Sequence, residues 1–196
     1  MFVVAFGVTL VLNNITLKGH SSNNRPLVAV GEEGILIMNT GSKITNNKNN
    51  IGDFGAGVCV DEGTFIMNDG TISENIATSS GAGVWVEGGG IFTMNGGTIS
   101  GNTATWGGGG VYVLKGDFIM KGGTISGNTS SSLGGGVFGA ITKTGGIIYG
   151  KGEGVNSNTA NSDGKGHAVY GGGKYRDTTA GPGINLSTAN NDNWNQ

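Results

Sequence analysis

Charged residues are scarce in this chain of 196 residues. Asp, Glu, Lys and Arg make up 12% of the sequence, and the formal net charge is −2. Ordinary domains carry about a quarter of charged residues, so Ser, Thr, Asn and Gly must cover most of this surface. The sequence contains no cluster of Lys and Arg that would bind the phosphate backbone of a nucleic acid. We therefore expect no nucleic-acid partner.

Cysteine and proline are almost absent, with one and two residues respectively. A single cysteine excludes an intrachain disulfide framework. Cys59 lies between Val58 and Val60, at an alternating position of a predicted strand. This setting favours a structural thiol over a nucleophile.

Long apolar runs and helical periodicity are also lacking. Residues 1–12 are apolar but too few to span a membrane, and they have neither a basic start nor an A-x-A cleavage site. We interpret them as a strand of the first repeat. Any signal sequence would then lie upstream of residue 1. No apolar period of 3.6 residues extends over three turns, so we predict almost no helix.

Glycine and a repeated phrase are what the sequence has in abundance. There are 42 glycines, about three times ordinary usage. The phrase F-x-M-x-G-G-T-I-S-G-N-T begins at Phe92 and again at Phe118, and a weaker copy begins at Phe65. Such self-similarity is typical of repeat architectures.

The repeat aligns into columns spaced 26 to 29 residues apart. The first column contains Leu12, Met38, Met67, Met94, Met120 and Tyr149. The second contains Leu17, Ile44, Ile72, Ile99, Ile125 and Val155. The third contains His20, Asn47, Asn75, Asn102, Asn128 and Asn158, which we expect to form a ladder of stacked turn amides.

Each repeat contains three short apolar segments bounded by Gly, Asn, Asp or Ser. They are an apolar triplet, the F-x-M segment and the T-I-S segment, and each has the length of a strand. The sequence therefore predicts an all-β, single-stranded, right-handed parallel β-helix of six to seven coils. We assign residues 1–170 to the coils and residues 171–196 to an irregular C-terminal cap.

Alternation within the strands predicts which side chains point inward. Phe65, Phe92 and Phe118 share the parity of the Met column and should be buried, whereas Ile66, Thr93 and Ile119 should face outward. If the valines of the triplets are inside, the middle residues form an exposed column that contains Trp85, Tyr112, Phe138 and Val169. Trp85, Tyr112 and Phe138 are thus a candidate contact stripe for a sugar or a protein. The alternative is that they pack under a neighbouring loop or face inward.

Two short motifs carry a family resemblance. Phe65-Ile66-Met67-Asn68 and Phe92-Thr93-Met94-Asn95 resemble the F-x-x-N motif of polymorphic outer-membrane proteins. In the third copy of this motif, Lys121 replaces Asn. Gly81-Ala82-Gly83-Val84 and Gly108-Gly109-Gly110-Val111 resemble their companion motif G-G-A-[ILV], although the middle letters differ. The chain is also similar to autotransporter-type adhesins and to Gly/Asn-rich surface repeat proteins of spirochaetes. This resemblance implies a right-handed β-helix that is secreted or at the surface of a host-associated bacterium, in an adhesive or structural role.

Acidic residues recur in the turn after the triplet, where Glu32, Asp61, Glu62 and Glu87 form a weak column. Stacked carboxylates are able to bind Ca²⁺, or to act as acid and base on a polysaccharide. A solvated acidic turn that deters edge pairing is the simpler interpretation, because no cationic base accompanies Asp61 and Glu87. We expect no metal or other cofactor, with Ca²⁺ as the alternative.

No catalytic motif is apparent. The two histidines, His20 and His167, are predicted to lie five coils apart, and no zinc, nucleophile-elbow or phosphate-loop motif occurs. We predict a structural or adhesive protein without catalytic activity, which binds a host glycan or surface protein, or assembles end to end into a homo-oligomer or filament. The alternative is a polysaccharide lyase or glycosidase that uses the acidic column.

Overall fold

A computed structural model describes residues 1–52, 54–150, 154–161 and 167–171 of the chain. The described part contains 24 short strands, numbered in chain order, and no α-helix. A 3₁₀ turn spans Gly154–Asn156. The C-terminal cap predicted for residues 171–196 lies outside the described residues, apart from Gly171.

The strands form four parallel sheets, and each of the five coils from β4 to β23 gives one strand to each sheet. The triplet sheet contains β1 (Phe2–Val4), β4 (Val28–Val30), β8 (Val58–Asp61), β12 (Val84–Glu87), β16 (Val111–Val113), β20 (Val137–Phe138) and β24 (Val169–Tyr170). The Met sheet contains β2 (Thr9–Leu12), β5 (Ile35–Met38), β9 (Thr64–Met67), β13 (Ile91–Met94), β17 (Asp117–Met120) and β21 (Thr142–Lys143).

The other two sheets complete each coil. The Ile sheet contains β3 (Thr16–Lys18), β6 (Lys43–Thr45), β10 (Thr71–Ser73), β14 (Thr98–Ser100), β18 (Thr124–Ser126) and β22 (Ile147–Ile148). The short sheet contains β7 (Lys48–Asn49), β11 (Ile76–Ala77), β15 (Thr103–Ala104), β19 (Thr129–Ser130) and β23 (Thr159–Ala160). The predicted parallel solenoid with three strands per coil is confirmed, and the short sheet is an additional ladder of two-residue strands.

The core consists of side chains stacked on their counterparts in the next coil. Phe92 lies between Phe65 and Phe118, with ring centroids 4.8 Å away on each side and the rings nearly parallel. All three rings are buried, and so are the methionines and isoleucines of the predicted columns from coil to coil. Burial of each such side chain stabilises the fold by about 1.5–3 kcal/mol. Because each coil exposes an apolar layer to its neighbours, stacking is what buries it.

The predicted asparagine ladder is confirmed and lies inside the coils. Asn47, Asn75, Asn102, Asn128 and Asn158 are all buried. The backbone N–H and the side-chain amide of Asn75 both donate to Oδ1 of Asn102, each at 3.0 Å, and the same pair of bonds links Asn102 to Asn128. The ladder thus satisfies buried turn amides that no strand can pair.

The first coil ends this buried ladder differently. The backbone carbonyl of His20 accepts from Lys48, so His20 does occupy the column, but its side chain is exposed and contacts Ser22. Asn23 instead donates to Oδ1 of Asn47 at 2.7 Å.

A second asparagine ladder runs along the outside of the rod. Asn39 donates to Asn13, Asn68 donates to Asn39 and Asn95 donates to Asn68, at 2.7 to 2.9 Å. Its residues follow the Met sheet and include the final Asn of both F-x-x-N motifs. Lys121 takes the next position, because β17 pairs with β13 through Met94 and Met120.

Glycine is required where coils approach most closely. In the G-G-T phrase, Gly97 has φ of +82°, and a Cβ there would lie 2.7 Å from the carbonyl oxygen of Gly70 in the previous coil. Gly123 has φ of +84° and meets the carbonyl of Gly97 in the same way. A side chain at either position would force neighbouring coils apart.

The last coil corrects two predicted positions in the Met and Ile columns. Met120 pairs with Lys143, so buried Lys143 rather than Tyr149 continues the Met column. Ile148 rather than Val155 continues the Ile column, and Val155 lies in the 3₁₀ turn, where it is 95% exposed. The physical reason is that the chain takes fewer residues from the triplet to the Met column, and more residues from β22 to the next strand, than in the earlier coils. Together these differences shift the spacing of the sequence repeat.

The triplet register also differs in the last coil. Val169 pairs with Val137 and is buried, whereas Tyr170 pairs with Phe138. Tyr170, not Val169, therefore belongs to the column of middle residues.

Among the described strands, β1, β2 and β3 each stand at the end of their sheet, so the first coil has three edge strands. Their surroundings are apolar and partly exposed, with Phe2 at 49% and Val3 at 61%. Unpaired strand edges of this kind are able to accept a further parallel strand.

Candidate functional site

A continuous stack of four aromatic rings follows the triplet sheet. Trp85, Tyr112, Phe138 and Tyr170 are in register, and successive ring centroids are 4.5, 4.8 and 5.6 Å apart. The flanking valines point inward and are buried, as predicted. The aromatic rings therefore lie on the outer face of this sheet.

The predicted exposure of this stripe is wrong for Trp85, which is only 4% exposed. Tyr112 and Phe138 are half-buried. The backbone that leads from the short sheet into the triplet sheet packs against the stripe. A Cβ on Gly81 would lie 3.0 Å from Cβ of both Trp85 and Tyr112, and one on Gly55 would lie 2.9 Å from Cβ of Trp85. The glycines before each triplet thus let a neighbouring segment cover the rings.

The ring stacking limits what the stripe offers to a ligand. Tyr112 is nearly parallel to Phe138, at 5°, and lies at 23° to Trp85. Because the ring faces are turned toward one another along the rod, mainly ring edges remain for solvent. Tyr112 therefore offers little ring face to a sugar, in contrast to an aromatic residue with an open face.

Two aromatic residues that sequence reasoning missed flank this stripe. Trp106 is 66% exposed and Phe54 is 43% exposed. Both lie in the segment between the short sheet and the triplet sheet, which we call the lead-in segment. They are two coils apart, and the coil between them has Ser79 and Ser80 at this place. The residues at this position differ from coil to coil, so the repeat pattern of the sequence does not reveal them.

A groove of about 580 Å³ lies between these residues. Its lining includes Phe54, Ser80, Trp85, Glu87, Trp106 and Tyr112. It therefore combines aromatic rings with hydroxyl groups, one carboxylate and an indole N–H, which is a usual composition for a small-molecule site.

The indole of Trp85 carries a buried hydrogen-bond donor. Its Nε1 has no acceptor among the residues that the structure describes. A buried N–H without a partner costs about 1–3 kcal/mol, so such groups are rare in folded proteins. An acceptor from outside the chain would relieve this cost.

The acidic column is only partly brought together. Asp61 and Glu87 are neighbours in register between β8 and β12. The last pair between β4 and β8 is Val30 with Val60, so the next residue, Gly31 rather than Glu32, continues opposite Asp61. Glu32, Asp61 and Glu62 are exposed, and Glu87 is half-buried. Within the described residues, no group of three or more His, Cys, Asp or Glu is arranged to hold a metal ion.

Cys59 lies next to Trp85 in the triplet sheet. Burial raises the pKa of its thiol to about 12, and the negative charges of Glu87 and Asp61 add to this effect. The thiol is thus protonated at neutral pH and is a poor nucleophile. This finding supports the structural role predicted for it.

The two histidines are not part of one site. The backbone carbonyl of His20 is paired in the first coil, whereas His167 precedes β24 in the last described coil. His167 is buried, and its Nδ1 accepts a hydrogen bond from the backbone N–H of Ala160 at 3.1 Å.

Comparison of the chain with protein-family models, curated proteins and solved structures found no match in any of the three. The similarity to outer-membrane and autotransporter-type proteins is therefore a resemblance of short motifs. The described part of the chain also contains no helix with the length and hydrophobicity that a membrane crossing requires.

Proposed function

We propose that this protein is a secreted or cell-surface β-solenoid with a structural and adhesive role and without catalytic activity. The observation that carries the proposal is the groove beside the aromatic stripe. It breaks the regularity of a rod whose interior columns repeat from coil to coil, and exposed aromatic residues next to polar groups are typical of contact surfaces.

The charge-poor composition supports an extracellular rod. With 12% charged residues, the surface offers mainly hydroxyl and amide groups, and two asparagine ladders add hydrogen bonds between coils. Such a rod stays stiff because each coil is bonded to the next along several sheets. The motif resemblance to surface proteins points the same way.

A carbohydrate-active enzyme is the second candidate. The observation in its favour is that Asp61 and Glu87 lie on adjacent strands, at the spacing of about 4.8 Å that parallel strands impose. Two carboxyl groups about 5–5.5 Å apart are typical of retaining glycosidases.

End-to-end assembly is a variant of the structural role. In the described part of the chain, β1, β2 and β3 are the end strands of their sheets, and apolar side chains lie beside them. A further coil from a second copy would continue all three sheets, and a contact of this kind that does not close produces a filament. Sedimentation and electron microscopy over a range of concentrations test this variant, which a monomer at every concentration would contradict.

Binding and cleavage should be measured together to test the main proposal. The full chain is incubated with a panel of neutral and acidic polysaccharides, and bound material and newly formed chain ends are both quantified. We expect retention of the polysaccharide without new ends. Cleavage that disappears in Glu87→Gln would instead establish the enzyme.

A second experiment tests the location. Surface labelling of intact cells that produce the protein, with a membrane-impermeant reagent, should modify the solenoid. Labelling that appears only after the cells are lysed would contradict a cell-surface role, and recovery from the medium would indicate secretion.

A further inference from the structure

We propose that the groove between Phe54 and Trp106 binds one ring of a neutral saccharide, with the two aromatic side chains on either side of it. The inference rests on the adhesive role proposed above and gives that role a site and a ligand class.

The first argument is the spacing of the coils. The backbone N–H of Gly81 donates to the carbonyl of Gly107, and a Cβ on Gly55 would lie 2.4 Å from the carbonyl oxygen of Gly81. The residues just before these glycines, Phe54, Ser80 and Trp106, therefore follow one another in three successive coils. At about 4.8 Å per coil, the backbones that carry Phe54 and Trp106 are about 10 Å apart.

The middle coil leaves this interval open. It contributes Ser79 and Ser80, whose side chains are far smaller than the rings on either side. The interval of about two strand spacings between Phe54 and Trp106 has room for the thickness of one saccharide ring between the two aromatic side chains. A third aromatic residue at this place would have closed the groove.

The second argument is the state of the flanking rings. Among the described residues, no other aromatic ring is stacked on Trp106 or Phe54, in contrast to the continuous stack of the stripe. Their exposure of 66% and 43% leaves ring surface available. The face of an aromatic ring is negative and attracts the positively polarised C–H groups of a sugar.

The third argument is hydrogen bonding. Trp85 contributes a buried N–H that finds no acceptor among the residues the structure describes, and Glu87 contributes a half-buried carboxylate at the same groove. A sugar hydroxyl both accepts and donates, so a saccharide is able to pair with each of them. A quaternary ammonium ion also binds aromatic groups, but it offers no acceptor to the indole N–H. The donor on Trp85 therefore favours the saccharide.

The test titrates the full chain with neutral oligosaccharides of glucose, galactose, mannose and N-acetylglucosamine, and with choline, in a calorimeter. We expect at least one oligosaccharide to bind and choline not to bind. Trp106→Ala and Phe54→Ala should each weaken this binding by about tenfold, as loss of an anchoring ring does. Ile91→Ala is the matched control, because Ile91 is an exposed apolar residue of the Met sheet, away from the groove.

A gap-filling variant tests the geometry separately. Ser80→Phe keeps both flanking rings but places a third ring at the position between Phe54 and Trp106, so it should also abolish binding. Circular dichroism and the midpoint of denaturant unfolding verify that each variant is folded.

The outcomes separate the site from the general function. Wild-type binding that survives all three groove substitutions would overturn the site while leaving an adhesive role intact. Binding of choline alone, or of no oligosaccharide in the panel, would overturn the ligand class. Cleavage of a bound oligosaccharide would overturn the non-catalytic function itself, whatever the groove variants do.

Discussion

Phe65, Phe92 and Phe118 place the same ring at one position in three successive coils, whereas the lead-in segment changes from Phe54 to Ser80 to Trp106. The difference follows from what surrounds each position. A buried ring must fill the same volume against the ring above and below it, so substitution in one coil disturbs two others. A side chain at the rod surface meets solvent and is free to differ. Repetition therefore marks the scaffold, and its interruption marks the candidate binding site.

The largest effect is expected from the repeated interior. Phe92→Ala removes a buried ring that stacks on both Phe65 and Phe118, and it should lower the free energy of unfolding by about 3–5 kcal/mol. Urea denaturation followed by circular dichroism measures this loss. A loss below about 1 kcal/mol would mean that the interior column does not hold the coils together.

The two asparagine ladders allow the same comparison with polar residues. Asn102→Ala deprives two donors of Asn75 of their acceptor inside the coil, and should cost about 3 kcal/mol or more. Asn68→Ala removes the same side chain from the exposed ladder, where water replaces the lost bonds, and should cost about 0.5–1 kcal/mol. Equal losses in the two variants would show that burial is not what gives the inner ladder its importance.

Cys59 lies between the core and the stripe, and its raised pKa predicts that the stability of the protein depends on pH. Its pKa is raised from 9.0 to about 12 in the folded protein, so the unfolded chain loses the thiol proton first as the pH rises. The contribution of this group to stability is complete below pH 9.0 and falls by about 1.4 kcal/mol per pH unit as the pH approaches 12.

A comparison with Cys59→Ala isolates this effect from the lysines and tyrosines that titrate in the same range. The difference in unfolding free energy between the wild type and the variant should decrease above pH 9.0. A difference that stays constant from pH 8 to pH 11 would contradict the assignment.

The smallest effect on stability is expected at the groove. Trp106 is 66% exposed, so Trp106→Ala should change the free energy of unfolding by no more than about 0.5 kcal/mol. Denaturation under the conditions used for Phe92→Ala provides the direct comparison. A loss of 2 kcal/mol or more would assign Trp106 to the scaffold.

The sequence predicted the interior well because stacking makes the interior repeat. The Phe, Met and Ile columns and the asparagine ladder were all identified from spacing, together with the all-β solenoid. The prediction failed where the period changes. Lys143 does not look like a member of an apolar column, so the alignment passed over it to Tyr149.

The candidate site was harder to predict for a different reason. The burial of Trp85 depends on how the lead-in segment packs over it, and this packing has no sequence pattern of its own. The position of Trp106 and Phe54 has a different residue in each coil, so the sequence repeat does not mark either of them. The stripe of Trp85, Tyr112 and Phe138 was correctly placed in one column, but its open partners were not recognised.

The most direct test of the central claim measures oligosaccharide affinity and unfolding together for Trp106→Ala in the full chain. If non-repeating positions bind and repeating positions support the rod, affinity should fall by about tenfold while the unfolding midpoint stays unchanged. Unchanged affinity, or a loss of affinity together with a loss of about 2 kcal/mol or more in unfolding free energy, would contradict the claim.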